Sequence, residues 1–418
     1  MGLHPGAVRA LTLCIVMGSS PAARAEALLQ AQTQAQAQAQ AQSVPALRAL
    51  VDQAWQLDPQ ARRIRHRRDA LEAQARQVGG WTPAPGSLAV GQRSDRYLAG
   101  RGQLEWELEY AQPLWLPGQA DARRQEAALA LAALEADAAL LRLELGRQLA
   151  EAHQAWRLAA DLHALAGHRQ TLAEALATDL ARRYRAGEAP RFDDNLAQAE
   201  LLGAQAARDE AALAEQAAED SFRRLAGSPP PAHWPRPGQL PPPVPPQLDV
   251  PQRALDWALA QLESTRRSPR DNPELGVRLR RERDATGAEF ADSLALRLSI
   301  PLESAPRQQA READGAGAVD EAQAALARAR LTQAQELRRS EAQRARALQL
   351  EAGADTRLQL AQDNLALADK AWRLGERPLE SLLRTRSAFF DAEEARLRAR
   401  HARAQAETAQ LYWSGVAE

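Results

Sequence analysis

Six charged residues alternate with apolar ones in three short segments, and they are the side chains best placed to act on an ion. The segments read "LEWELEY", "GVRLRRER" and "SLALRLSIP". The charged positions are Glu105, Glu107, Glu109, Arg278, Arg280 and Arg297. Successive side chains of a β-strand point to opposite faces, and a charged face must meet water because unpaired charges are costly to bury. The pattern is typical of a transmembrane barrel with a watery interior, and equally of a half-exposed sheet in a soluble protein.

A second pattern, aromatic-Arg-x-Gly-Glu-x-Pro, occurs twice in the chain. It reads "YRAGEAP" in the first half and "WRLGERP" in the second. Glycine readily ends a helix in the left-handed conformation, and proline fits the first turn of the next helix. The pattern therefore predicts two helical hairpin tips. The tip residues are Gly187, Glu188, Gly375 and Glu376.

No motif for catalysis or for a resident cofactor accompanies these charges. The sequence has no glycine-rich phosphate loop, no nucleophile elbow and no HExxH zinc motif. His163 and His168 are five residues apart and share no helix face well, so they do not predict a metal site. The formal net charge of -1 provides no basic field for nucleic acid. We therefore predict a protein that is not an enzyme, binds no nucleic acid and needs no cofactor.

The N-terminus has the features of an export signal. Arg9 precedes the apolar run "ALTLCIVMG", and the small-x-small pattern "ARA" ends at Ala25, so residues 1–25 are predicted to be a cleaved signal peptide. Cys14 is the only cysteine and lies in this segment. The mature chain would have no thiol, which suits an oxidising compartment. Residues 26–43 are a low-complexity Ala/Gln leader.

The elements that must position the charges and tips are arranged as a duplication. An offset of about 188 residues relates the two tip patterns, and it also aligns "QPL" with "IPL" and Gly227 with Gly415. We expect a first repeat at 44–227, a proline-rich linker at 228–250 and a second repeat at 251–418. Each repeat has a helix, two strands, a very long helix, a tip and a return helix. The helix after the linker is predicted to be shorter than the segment that follows Val44.

The predicted fold is mainly α with a small β part. The tracts between Pro117 and Pro190 and between Pro306 and Pro378 contain no proline, so each predicts a helix of roughly 105 Å. Four strands are too few to close a barrel around a pore, whereas four strands from each of three chains are enough. Long helices from three chains would extend such a pore beyond the ~30 Å hydrocarbon core.

This organisation resembles the TolC-type outer-membrane efflux channel family, from about residue 44 to the end. The resemblance rests on the duplication, on "QPLWLPGQ" from Gln112 where strand turns to helix, and on the tips "YRAGE" and "WRLGE". It implies a homotrimer with an outer-membrane β-barrel continued by a long periplasmic α-barrel. It also implies contact with outer-membrane lipid, a periplasmic adaptor and an inner-membrane pump of the RND type. The segment "RDNPELGVRLRRERD" from Arg270 is most similar to the heavy-metal cation branch, of cobalt–zinc–cadmium or copper–silver type.

The resemblance assigns roles to the residues above. The tips would close the periplasmic end and contact the adaptor, and the charged strand residues would line the barrel lumen. Family members often carry an acid shortly after the tip glycine, lining a constriction. Asp193 occupies that place, whereas the second repeat has Ser381 there and Glu380 one residue earlier. A ring of carboxylates in a narrow pore attracts cations. Alternatively, Asp193 and Asp194 only stabilise the start of the return helix.

The predicted function is a passive exit duct of a tripartite efflux system, conducting heavy-metal cations. An exit duct for drug efflux or type I protein secretion is the second interpretation. The third is a periplasmic coiled-coil adaptor or structural protein without a barrel.

Overall fold

The computed structural model describes residues 47–97, 100–234, 244–302 and 304–416. The predicted signal peptide 1–25 and leader 26–43 lie outside the described residues, as does the middle of the predicted linker. The described chain is mainly helical, with one four-stranded antiparallel sheet in the order β1-β2-β3-β4. The predicted class, mainly α with a small β part, is confirmed.

The helices and strands follow one order twice. The first half contains α1 (47–57), α2 (Pro59–Val78), β1 (Ser87–Ser94), β2 (Leu104–Pro113), α3 (Gln119–Arg185) and α4 (Arg191–Ala226). The second half contains α5 (Pro246–Arg266), β3 (Glu274–Arg283), β4 (Ala291–Ser299), α6 (Ala305–Arg373) and α7 (Leu379–Trp413). The bounds of α2 and α5, of α3 and α6, and of α4 and α7 agree within two residues at the offset of about 188.

The junction before the second repeat differs from the predicted linker. Prolines at 245, 246 and 251 favour an extended linker up to residue 250, but α5 begins at Pro246. Proline is accepted in the first turn of a helix, because the backbone N–H that it lacks would have no hydrogen-bond partner within the helix there. With this start α5 has 21 residues and matches α2, which has 20; the segment that follows Val44 is nevertheless the longer one, as predicted, because it also contains α1. The residues equivalent to α1 fall in the proline-rich segment instead: Pro245 contacts Gly415 as Leu57 contacts Gly227.

The long helices are continuous, and they pack side by side. α3 has 67 residues and α6 has 69, which corresponds to roughly 100 Å each. α3 packs against α2 and α4 on one side and against α5 and α7 on the other; α6 packs against α5 and α7. The order across the layer is therefore α2 with α4, then α3, then α5 with α7, then α6. We call the outer borders of this layer the α2/α4 edge and the α6 edge.

Small apolar clusters hold the layer together rather than one thick core. At the level of α1, Leu149 and Phe222 are buried with Val51 between α1, α3 and α4. Nearer the sheet, Leu71 of α2 packs on Ala130 and Leu134 of α3. Seven of the 16 buried residues of α3 are alanines, whose small side chains allow the helices to approach closely.

The sheet is positioned by the helices that enter and leave it. β1 follows α2 and β2 leads into α3, whereas β3 follows α5 and β4 leads into α6. The two strand-to-strand turns therefore lie at the end of the sheet away from the helices. Leu108 of β2 pairs with Val90 of β1 and with Leu279 of β3, and Leu279 pairs with Leu294 of β4. All four strands therefore present apolar residues on the same face of the sheet.

Candidate functional site

The six charged strand residues share one face of the sheet. Glu109 is opposite Arg278, and Glu107 is opposite Arg280, in adjacent antiparallel strands. Arg297 of β4 is opposite Gly276, which lies two residues before Arg278 in β3. Arg297 is therefore on the same face of the sheet as Arg278. The structure thus brings together all six positions that the alternation singles out. The register also adds Glu282, which lies opposite Glu105 and which the sequence analysis overlooked.

These charges form a continuous ladder of ion pairs. Arg278 lies between two acids, with Nη2 2.7 Å from Glu109 Oε2 and Nη1 3.5 Å from Glu107 Oε1. Arg280 Nε is 2.5 Å from Glu105 Oε1, and its Nη2 is 2.6 Å from Glu282 Oε2. Arg297 Nη1 lies 3.5 Å from Glu109 Oε1. The charges of the ladder nearly cancel, so this face is hydrophilic but carries no strong electrostatic field of one sign.

The opposite face of the sheet is mostly apolar and uncovered, with Arg281, Arg283 and Asp292 at the end where the strand-to-strand turns lie. It carries Leu88 and Val90 from β1, with the exposed leucines of β3 and β4 beside them. Leu296, in the middle of the edge strand β4, remains 76% exposed. A half-exposed sheet of a soluble protein buries its apolar face against a core, whereas here no helix covers it among the described residues. An apolar surface of this extent marks a contact with a membrane or with another protein.

The two hairpin tips have the same backbone. After α3, Gly187 has φ +78° and the Glu188 N–H donates to the Arg183 carbonyl at 2.8 Å. After α6, Gly375 has φ +75° and the Glu376 N–H donates to the Ala371 carbonyl at 2.9 Å. Both follow the Schellman pattern, in which glycine satisfies the last carbonyls of a helix. All four predicted tip residues are exposed, as a contact surface requires.

A tip cluster of apolar residues joins the two hairpins. Leu176, Ala177 and Leu180 of α3 are buried against Leu379 and Leu382 of α7. Ala197 of α4 completes it, and the Arg183 guanidinium lies 5.4 Å from the centre of the Trp372 ring. Sequence analysis did not single out Leu379 and Leu382. No local pattern distinguishes them from the other leucines of the chain, because their burial depends on the packing of α7 against α3.

The constriction candidates lie at equivalent places in the first turns of α4 and α7. The Asp193 N–H donates to Pro190, and the Ser381 N–H donates to Pro378, both at 3.1 Å. Glu380 is exposed and pairs with Arg384 at 2.8 Å within its own helix. The structure makes no contact between Asp193 and Glu380. Their role in a constriction stays a prediction.

The histidines are dispersed and serve separate packing contacts. His163 Nδ1 lies 2.6 Å from Glu215 Oε2, between α3 and α4. His153 is buried between Trp156, Phe222 and Trp234, with Nε2 2.8 Å from the Pro231 carbonyl. Burial lowers the pKa of His153, and nearby cationic groups act in the same direction. No three His, Cys, Asp or Glu side chains within the described ranges cluster as metal ligands would.

Solved structures share this arrangement over most of the chain. A membrane protein from Pseudomonas aeruginosa superposes with a TM-score of 0.71 at 19% identity, covering 88% of this chain and 93% of that one. CusC, whose structures describe transmembrane channel formation, gives 0.72 at 15% identity, covering 88% and 92%. The CmeC outer membrane channel of Campylobacter jejuni gives 0.68 at 14% identity, covering 88% and 85%. The fold is that of outer-membrane channels. No protein-family model matches the sequence, and no curated protein matches it either.

The outer-membrane channel fold confirms the predicted resemblance at the level of architecture. At these identities the likeness extends to the fold alone. Within the described residues, none of the helices combines the length and apolar character needed to cross a membrane.

Proposed function

We propose that this chain is the outer-membrane exit duct of a tripartite efflux system, passively conducting substrate from a periplasmic adaptor and an inner-membrane pump to the exterior. The observation that carries the proposal is the sheet, which has a paired charged face, an uncovered apolar face and helices of about 100 Å at one end only. A water-filled barrel in lipid needs both faces. A coiled-coil adaptor or structural protein needs neither.

Three copies complete the duct. Each contributes four strands to one barrel, with the leucine face toward outer-membrane lipid and the ion-pair ladder toward the lumen. The helix layers of the three copies form the α-barrel that crosses the periplasm. Because the helices attach at one end of the sheet, the β1–β2 and β3–β4 turns face the exterior.

The exposed tips meet the adaptor at the periplasmic end. Gly187 with Glu188 and Gly375 with Glu376 form the contact surface, and the adaptor links them to a pump of the RND type. The tip cluster keeps the two hairpins of a copy together, so the constriction lies where the tips of the three copies converge. Asp193 lines it, with Glu380 supplying the second carboxylate that Ser381 lacks.

The proposed cargo is heavy-metal cations, which rests on the resemblance of the segment from Arg270 to that branch of the family. The near-neutral ladder offers them passage without strong selection, so choice of cargo belongs to the pump. Survival of a deletion strain tests this on graded cobalt, zinc, cadmium, copper and silver, beside dyes and antibiotics. Sensitivity confined to metals and restored by the gene supports the metal duct. Sensitivity confined to dyes or antibiotics keeps the duct and rejects the metal cargo, and no phenotype in any panel counts against the duct.

Conductance in planar bilayers tests the lumen directly. Arg278→Gln removes a cation that faces Glu107 and Glu109, so the lumen becomes more negative and the ratio of cation to anion permeability rises. The matched control is Arg281→Gln, on the opposite face of the same strand. Equal ratios for Arg278→Gln and wild type would contradict the assignment of this face to the lumen.

A further inference from the structure

A cleft opens where the sheet meets the helices. Its volume of about 400 Å³ lies within the range of ligand pockets, about 300–1,000 Å³. It is lined by residues of three connections: Leu116 and Pro117 between β2 and α3, Arg267, Pro269 and Arg270 between α5 and β3, and Leu302 between β4 and α6. These residues belong neither to the ion-pair ladder nor to the tips, so the proposed function leaves the cleft without a role.

A buried side chain fixes two walls of the cleft. Gln119 is 4% exposed; its Oε1 accepts from the Leu116 N–H at 3.0 Å, and its Nε2 donates to Ser268 Oγ at 3.0 Å. Asn272 donates from Nδ2 to the Leu114 carbonyl at 2.7 Å. These bonds join the β2–α3 connection to the α5–β3 connection. The walls are therefore in place before a ligand arrives, which lowers the cost of binding.

The lining is divided between cationic and apolar groups. Arg270 is half-buried and makes no ion pair or side-chain hydrogen bond to any residue that the structure describes. Arg267 Nε lies 2.8 Å from Glu263 Oε1, and its side chain is 57% exposed. The segment 263–271 has three arginines and two acids, so its net charge is positive. Leu302 is 91% exposed at the apolar side of the cleft. This combination suits an amphiphile with an anionic end.

The cleft lies at one boundary of the apolar face of the sheet. The exposed leucines of β4 alternate along the strand, and the alternation continues past its end with Ile300 and Leu302. An apolar path therefore leads from the sheet to the cleft. In the proposed duct this is the periplasmic end of the sheet, because the helices attach here. The polar headgroups of a membrane lie directly beside the hydrocarbon core, at the depth of such a boundary.

The first repeat has a different interface residue at the same place. The offset of about 188 aligns "RSPR" at 267–270 with "GGWT" at 79–82. Trp81 in that segment is 99% exposed. Tryptophan is enriched where membrane meets water, and arginine extends its charged end to the same region from apolar surroundings. Both repeats thus have, at the sheet–helix boundary, a residue type that suits the headgroup region of a membrane.

We propose that the cleft binds the headgroup of a phospholipid from the periplasmic leaflet of the outer membrane. Arg267 and Arg270 donate charge-assisted hydrogen bonds to the phosphate oxygens. The acyl chains pass Leu302 and lie against the apolar face of the sheet. The inference deepens the proposed function and rests on it for the depth of the cleft in the membrane. Lipids bound in this way fix the level at which the sheet ends and the periplasmic helices begin.

Native mass spectrometry of the full-length oligomer, purified in detergent, tests the binding. The probes are dimyristoyl phosphatidylglycerol, dimyristoylglycerol, which has the same chains without the phosphate, and inorganic phosphate. We expect the wild type to bind the phospholipid about tenfold or more tightly than either other probe. The double variant Arg267→Gln with Arg270→Gln should weaken phospholipid binding about tenfold or more, because it removes two hydrogen bonds to a charged group.

Arg398→Gln with Arg400→Gln is the matched control. Arg398 pairs with a glutamate four residues earlier, as Arg267 does, and Arg400 is exposed. Both lie on α7, which meets α3 at Gln154, about 50 Å along α3 from its first residue. We expect this control to bind the phospholipid as the wild type does. Equal phospholipid affinities for the wild type and for the variant of Arg267 and Arg270 would overturn the proposal.

Leu302→Gln separates a lipid from a free anion. It should weaken phospholipid binding severalfold and leave the binding of inorganic phosphate unchanged, because it alters only the apolar side of the cleft. If the wild type binds inorganic phosphate as tightly as the phospholipid, the cleft is a site for a free anion, and the lipid is overturned.

Leu302→Cys tests whether a second copy covers the cleft instead. The single native cysteine, Cys14, lies in the predicted signal peptide, so the new thiol is the one that reacts. We expect the delipidated oligomer to react with maleimide and added phosphatidylglycerol to slow the reaction. A thiol that reacts in SDS-unfolded chain but not in the delipidated oligomer is covered by a neighbouring copy, which overturns the lipid.

Failure of this inference is distinguishable from failure of the proposed function. If the wild-type gene restores resistance to the deletion strain but the variant of Arg267 and Arg270 binds phospholipid as the wild type does, the cleft is wrong and the duct stands. If the phospholipid binds as expected and the wild-type gene restores no resistance, the cleft stands and the duct is wrong.

Discussion

Replacing Leu382 by alanine tests whether the tip cluster holds the two hairpins of a copy together. Leu382 is 1% exposed and packs with Leu176 and Leu180 from the other hairpin. Leucine-to-alanine changes in a core cost about 2–5 kcal/mol, the amount depending on how far the site collapses. This cluster lies at the free end of the helices, where neighbours relax easily, so we expect about 2–3 kcal/mol. That corresponds to a roughly 30- to 160-fold larger population of the open tip.

Hydrogen exchange measured by mass spectrometry reads this opening locally. Peptides from the ends of α3 and α7 should exchange faster by about that factor, while peptides from the sheet, roughly 100 Å away, should be unchanged. The control is Leu374→Ala at the same tip, where the side chain is 64% exposed and the cost is expected within about 0.5 kcal/mol. If Leu382→Ala accelerates exchange no more than Leu374→Ala does, the tips are held by something other than this cluster, and the reasoning is refuted.

Three further predictions concern pH, assembly and backbone. Burial lowers the pKa of His153, so the folded chain keeps it neutral while the unfolded chain binds a proton below about pH 6.5; thermal melts in detergent should lose stability as pH falls from 7.5 to 5, and His153→Gln should lose less. Glu126 of α3 and Ser264 of α5 line one cavity, and their equivalents in the other repeat are Asp314 and Arg76, so the proposed trimer places these two charges together between copies. Arg76→Asp or Asp314→Arg alone should reduce the SDS-resistant oligomer on gels, and the double exchange should recover it; no recovery would speak against their pairing. Gly187→Ala should lower the free energy of unfolding, because φ is +78° there, whereas Gly167→Ala inside α3 should raise it, each by about 1 kcal/mol and each visible as a shift of the melting temperature. Equal signs for the two glycines would contradict the backbone argument.

Local signals were sufficient to predict much of this fold. Gly187 and Gly375 end helices because glycine alone takes the left-handed conformation at no steric cost, and that property is visible in a short pattern. The strand faces were predictable for the same reason, since alternation is a property of a single strand. The long helices followed from the absence of proline over about 70 residues.

Features that depend on pairing between distant segments were not predictable. Glu282 joins the ladder only because β2 and β3 pair in one register, and a shift by one residue would place it on the other face. Leu382 is buried because α7 meets α3, which nothing in its own turn of helix indicates. The start of α5 at Pro246 was missed because proline both ends helices and begins them, and only the packing around it decides.

The arginines of α2 have a consequence for fidelity of assembly. In a duplicated chain, copies can pair incorrectly, because the outer side of α6 could pack against α5 and α7 of another copy instead of against its α2 and α4. Of the α2 arginines at 62, 63, 65, 67 and 68, only Arg65 has an arginine at the equivalent place in α5. That residue, Arg253, is already paired with Asp249 in its own helix. In the proposed trimer, Asp314, Asp320 and Glu321 of α6 therefore favour contact with α2 of the next copy over contact with α5. This difference in charge distinguishes the two repeats and specifies the order in which they alternate around the ring.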